Sequence, residues 1–235
     1  MGRAFEFRKE RKMKRWGKMA KTFTRIGKEI SMAVKEGGPS PENNSRLRAI
    51  IQNAKAENMP KVNVENAIKK ASSKDSTNMD EVSYEGYGPY GVAFFIETAT
   101  DNSTRTVANL RNIFSKGDGS LGTNGSLDFI FDRKANFTIK REGIDADDLE
   151  LELIDFGLEE IDADEEEVLI VTSFTEFGAM QGAIEERNFE IISAETVRIP
   201  TTTVELNEEQ TEAIDKMIEK FEDDDDVLQV FTNVA

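Results

Sequence analysis

The spacing of apolar residues is purely helical only as far as Ser72–Asp80, where strands begin, and that change limits the folds open to the chain. Before it, apolar residues recur every three or four positions, which marks one face of a helix. Met19, Phe23, Ile26, Ile30, Ala33 and Val34 give such a stripe over 18–36, and Gly37-Gly38-Pro39 stops it. Ser40-Pro41 reads as an N-cap with proline at the first helical position. Leu47, Ile50, Ile51 and Ala54 stripe a second helix that ends near Asn58, and Met59-Pro60 breaks the chain. Val64, Ala67, Ile68 and Ala71 stripe a third helix from about Asn63. The three form a small bundle whose outer faces expose Lys21, Arg25, Lys28, Arg46, Arg48, Lys55, Lys69 and Lys70.

Ser72–Asp80 is polar and unpatterned, the mark of a linker. Beyond it the pattern is that of strands. Val82-Ser83-Tyr84 leads into a glycine-rich aromatic turn, and Val92–Thr100 reads as a buried strand. Asn102–Lys116 is a helix with Val107, Leu110, Ile113 and Phe114 inward, and Ser126–Phe131 reads as a strand. The matching half comes at the C-terminus: a short strand at Thr203–Leu206, a helix from Asn207 and a last strand at Val227–Val234. Between the halves lies a full β-α-β-β-α-β series: Phe137–Ile139, Asp145–Asp155, Leu158–Ile161, Val168–Thr172, Glu176–Asn188 and Phe189–Ile199. The expected fold is therefore α+β, an N-terminal three-helix bundle followed by two ferredoxin-like α/β domains, one inserted in the other. The expected domains are 1–74, a basic helical domain with an N-terminal arm; 80–133 plus 201–235, ferredoxin-like; and 134–200, the inserted ferredoxin-like domain.

Charge divides at the same place. Residues 1–74 hold 19 basic and 7 acidic residues, a net of +12, and the remainder holds 11 and 39, a net of −28. The excess concentrates in Arg3–Lys28, with eleven basic residues against Glu6 and Glu10. Such a stretch neutralises phosphates and releases counterions, binding without choice of sequence. The candidate phosphate contacts are Arg8, Lys9, Arg11, Lys12, Lys14, Arg15, Lys18 and Lys21. Phe5, Phe7 and Trp16 could stack on bases, though the bundle core is the expected place for Trp16. Residues 3–17 otherwise read as an arm.

The chain has no cysteine and no histidine, which excludes disulfides, Cys/His zinc sites and histidine acid–base chemistry. No apolar run suits a transmembrane helix or a signal peptide, and Glu6 stands where a myristoylation signal has Ser or Thr. The expectation is a cytoplasmic protein with no membrane partner.

Other motifs have structural readings beside functional ones. Gly117-Asp118-Gly119-Ser120-Leu121-Gly122 matches G-x-G-x-x-G, but it follows a helix and precedes a strand, the wrong setting for a dinucleotide. A turn with positive φ at several glycines accounts for it. Asp223–Asp226 lacks the spacing of a calcium loop and reads as a solvated turn. Glu85, Glu97 and Asp101 are carboxylates near turns, without a nucleophile and activating base to match. Tyr84, Tyr87 and Tyr90 form a second candidate contact turn suited to RNA bases or a peptide.

Several segments in series resemble the YebC family: Asn58-Met59-Pro60-Lys61, Ala67-Ile68-Lys69-Lys70, Tyr84-Glu85-Gly86-Tyr87-Gly88-Pro89, Thr100-Asp101-Asn102 with Arg105-Thr106, Leu121-Gly122 with Gly125-Ser126, Pro200, Thr203-Val204-Glu205-Leu206, and Asp223–Asp226 with Val227. The resemblance spans nearly the whole chain and implies a helical domain and two α/β domains, one inserted in the other; it also adds Asp101, Asn102 and Arg105 to the second candidate contact turn. Members are described as DNA-binding transcriptional regulators. Others, including a mitochondrial translational activator, act at the ribosome, and bacterial relatives are linked to relief of stalling on proline-rich sequences. Many members begin Gly-His-Ser-Lys-Trp, where this chain has Gly2-Arg3-Ala4-Phe5-Glu6-Phe7. The expectation is a non-enzymatic nucleic-acid-binding regulator without cofactor or metal, its partner DNA or ribosomal RNA and thus the ribosome. The alternative is a ribosome-associated translation factor binding ribosomal RNA, and the second alternative is a protein-interaction adaptor.

Overall fold

In a computed structural model, residues 19–73 and 78–235 are described. The chain forms two compact units, Met1–Lys74 with Arg133–Val197, and Asp75–Asp132 with Arg198–Ala235.

In the first unit, α1 (Met19–Gly37), α2 (Ser45–Ala56) and α3 (Lys61–Ala71) enclose a core of Ile26, Ile30, Ala33, Val34, Leu47, Ile50, Ala54 and Val64. The α1–α2 corner turns on Asn44, not Ser40. Asn44 caps α2 by accepting from Leu47 N at 2.9 Å, while its Nδ2 donates to Ala33 O at 2.7 Å and Gly38 O at 2.9 Å. Ser40 instead precedes a single 3-10 turn at Pro41–Asn43 and makes no side-chain cap. Gly37 has to be glycine here, because a Cβ would stand 2.7 Å from Asn44 Nδ2.

The same unit holds β4 (Phe131–Lys140), α5 (Ala146–Leu153), β5 (Leu158–Ala163), β6 (Glu167–Ser173), α6 (Phe177–Glu186) and β7 (Ile191–Pro200). The sheet order is β5-β6-β4-β7, with antiparallel β4–β6 and β5–β6 pairs, as the ferredoxin-like pattern requires. Phe137, Ile139, Leu149, Leu153, Val168, Ile170, Met180 and Ile184 form its core, and Ala49 of α2 joins them. Two polar contacts hold α2 there. Arg48 Nε meets Glu185 Oε1 at 3.0 Å. The Asn53 amide bonds both backbone groups of Ala194 in β7, accepting from N at 2.8 Å and donating to O at 2.7 Å. The expected outward Arg48 is in fact half-buried, its Nη1 also donating to Pro41 O and Glu42 O.

The second unit is built on β1 (Asp80–Tyr87), β2 (Ala93–Thr100), α4 (Ser103–Lys116), β3 (Ser120–Leu121), α7 (Glu208–Glu222) and β8 (Val227–Thr232). The sheet order is β3-β1-β2-β8. Every residue of β2 is buried. On one face Phe94, Phe114 and Phe221 pack with ring centroids 4.9–5.9 Å apart, joined by Leu110, Ile214 and Met217. On the other, Phe95 meets Phe131 at 6.0 Å and the Arg198 guanidinium at 4.0 Å.

Two expected strands differ. Residues 126–130 form turns, and the strand begins at Phe131. The buried Glu85 carboxylate takes the N–H groups of Gly125 at 2.7 Å and Leu127 at 2.5 Å, with Ser126 Oγ at 3.3 Å, so this backbone bonds to a side chain instead of a ladder. Thr203–Leu206 makes only a parallel bridge, Val204 to Val234. The long partner of β2 is instead β1, which pairs with it along eight residues.

Candidate nucleic-acid interface

Of the eight candidate phosphate contacts, Arg8, Lys9, Arg11, Lys12, Lys14, Arg15 and Lys18 lie outside the described residues, as do Phe5, Phe7 and Trp16. Lys21 lies on the first described turn of α1 and is half-buried. On the bundle surface, Lys35, Lys55, Lys61, Lys69 and Lys70 are exposed. Arg46 pairs with Glu36 at 2.9 Å, Lys61 with Glu65 at 3.8 Å and Lys55 with Glu190 at 4.0 Å. Exposed pairs of this kind contribute about 0–1 kcal/mol and leave the cations near solvent.

The second candidate splits into two places. Asp101, Asn102 and Arg105 lie at the start of α4, where Asn102 caps the helix by accepting from Arg105 N at 3.1 Å. The Arg105 guanidinium is already held: Nη2 reaches Asp226 at 2.7 Å and Asp101 at 2.8 Å. Its hydrogen bonds to Asp226 and then Asp101 stabilise the charged form and raise its pKa. Asp226 is buried, and its Oδ2 also accepts from Thr100 Oγ1 at 3.1 Å and Thr106 Oγ1 at 2.9 Å. The last member of the acidic run is therefore not part of a solvated turn, but the anchor that ties α4 to the α7–β8 corner. A sequence signal for this exists: Asp226 abuts the apolar start of β8 at Val227 and Leu228, both buried.

Tyr84 belongs to this anchor, its hydroxyl donating to Ser103 O at 3.4 Å. Burial raises its pKa first, and the Asp226 charge raises it further. Tyr87 and Tyr90 lie apart, at the β1–β2 turn, 40% and 49% exposed. Tyr90 has φ 61° and ψ 15°, a left-handed conformation that costs an ordinary residue about 1–2 kcal/mol.

The G-x-G-x-x-G segment supports this turn from below. Positive φ occurs at Asp118 (φ 55°), not at Gly117, Gly119 or Gly122. Those glycines are needed for space: a Cβ on Gly119 would lie 2.5 Å from Tyr87 O, and one on Gly117 2.8 Å from Met217 Sδ. The carboxylates considered for chemistry have structural partners, Glu85 in the loop bonds above, Asp101 in Arg105 and Glu97 in Arg198 Nε at 3.3 Å. Among the described residues, no group of three or more metal-binding side chains converges. Among the same residues, no helix is long and apolar enough to cross a membrane.

Helices and two four-stranded sheets thus make an α+β protein with a helical N-terminal part. Residues 3–74 match the family described as "TACO1/YebC protein N-terminal domain", and residues 79–234 that described as "TACO1/YebC second and third domain". A "Probable transcriptional regulatory protein" of Parabacteroides distasonis is 60% identical over 235 residues, covering 100% of this chain and 97% of that relative. A protein of the same name from Flavobacterium johnsoniae is 61% identical over 231 residues, covering 98% of each. The crystal structure of a conserved hypothetical protein from Aquifex aeolicus superposes with a TM-score of 0.79 at 34% identity, over 94% of this chain and 91% of that one. The chain belongs to the TACO1/YebC family.

Proposed function

We propose that this protein is a non-enzymatic nucleic-acid-binding regulator of gene expression. One observation carries the reading: a net charge of +12 in residues 1–74 on a chain whose remainder carries −28. Arg8, Lys9, Arg11, Lys12, Lys14, Arg15, Lys18 and Lys21 contact phosphates, and the acidic parts face solvent or protein. The relatives' name, probable transcriptional regulatory protein, agrees with this.

Phosphate contacts carry no sequence information, so the same basic stretch serves duplex DNA or folded RNA. The second reading, a translation factor on ribosomal RNA, is favoured by the lack of a helix-turn-helix signature in the sequence. Binding of labelled duplex DNA and structured RNA across a salt series tests both. With roughly six phosphates neutralised on DNA, log K falls against log salt with a slope of about −5. The polymer bound more tightly at equal salt identifies the target. Absence of binding to either at low salt contradicts the proposal.

A further inference from the structure

The turn between β1 and β2 places a tyrosine where glycine or asparagine would fit without strain. Tyr90 lies in the left-handed region at φ 61°, and Gly91 beside it at φ 77°. Tyr90 is 49% exposed and is not among the residues packed into the unit's core. Core packing therefore does not explain a residue that the backbone disfavours. Strain kept without a packing reward points to a contact made outside the fold.

The corner beneath is fixed by close backbone approach. A Cβ on Gly88 would lie 2.5 Å from Phe94 Cε2, and one on Gly86 2.6 Å from Phe114 Cζ and from Ser120 O. Tyr87, 40% exposed, ends β1 on this corner, paired with Ala93 and Ser120. Two half-exposed rings thus sit on a backbone with little freedom, as an aromatic platform requires.

We propose that Tyr87 and Tyr90 form a stacking platform for unpaired bases of the nucleic acid whose phosphates the basic stretch binds. The inference rests on the function proposed above and adds a second, uncharged contact. Residues 75–132 with 198–235 carry 6 basic and 20 acidic residues, a net of −14, which disfavours phosphate there. Stacking needs no positive charge, because every base has a π-face. An extended peptide would need main-chain hydrogen bonds, and the turn already uses its own: Gly88 N donates to Val92 O at 2.8 Å and Val92 N to Pro89 O at 3.3 Å.

Anisotropy titrations with a single-stranded RNA and a duplex of equal length, for wild type, Tyr90→Asn and Tyr87→Thr, test this. Single-strand affinity falls about tenfold for each ring removed, and duplex affinity is unchanged. The melting temperature of Tyr90→Asn is at or above that of wild type, since asparagine tolerates the left-handed backbone that strains tyrosine. Unchanged single-strand affinity in both folded variants overturns the platform while leaving phosphate binding intact. An equal loss on the duplex overturns it as well, as does weakened binding of an extended peptide with RNA affinity unchanged. A wild-type protein that binds neither polymer overturns both readings before any variant is made.

Discussion

At Tyr84 a phenol lies between a partly buried setting and the carboxylate of Asp226, and both raise its pKa. The native state thus holds the phenolic proton more tightly than the unfolded chain does. The stability this gives is fully present below the unfolded phenol value of about 10; it is lost as pH rises through the higher folded value. With only three tyrosines in the chain, tyrosinate absorbance can resolve the effect. The titration keeps a late step that Tyr84→Phe removes, and native stability declines above about pH 10. An identical titration in Tyr84→Phe would refute this assignment. Little of it was legible in the sequence. Arg105 and Asp226 stand 121 positions apart, and only the fold brings them within 2.7 Å. A run of aspartates looks solvated because charge usually is, and the one local mark of the buried member is that Asp226 abuts the apolar Val227 and Leu228.

The order of elements was legible because apolar periods of 3.6 and 2 report directly on helix and strand. Helices α1 to α3, the inserted series and α7 follow that pattern. Where the reading failed, a polar side chain decided the backbone. Glu85 held Ser126 and Leu127 out of the expected strand, and Asn44, not Ser40, closed the first corner. β1 was underestimated because its sequence, DEVSYEGY, carries three acids and weak alternation, although β2 pairs with its whole length. Docking of α2 on the sheet also had no sequence signal, since it rests on Ala49, Arg48 and an amide that pairs with β7 as a strand would. Asn53→Ala leaves both backbone groups of Ala194 without that partner. The expected loss is about 1–3 kcal/mol, read as a drop of about 2–12 °C in melting temperature. An unchanged melting temperature would show that this amide does not hold α2 in place.

At the scale of the molecule, charge separates binding from scaffolding. The basic excess lies in residues 1–74, while the second unit commits its central cations, Arg105 and Arg198, to Asp226 and Glu97. Those arginines complete an acidic scaffold instead of adding to a phosphate surface. The concentration of charge was the plainest functional feature of the sequence, because it needs no fold to be seen. The polymer was not legible, since lysine and arginine meet DNA and RNA phosphates alike. The most direct test replaces Arg11, Lys12, Lys14 and Arg15 by alanine and measures binding of the preferred polymer across salt. Each lost phosphate contact flattens the slope by about 0.9, so on duplex DNA it moves from about −5 to about −1.5 as affinity falls. A variant that keeps the wild-type slope and affinity would contradict the account.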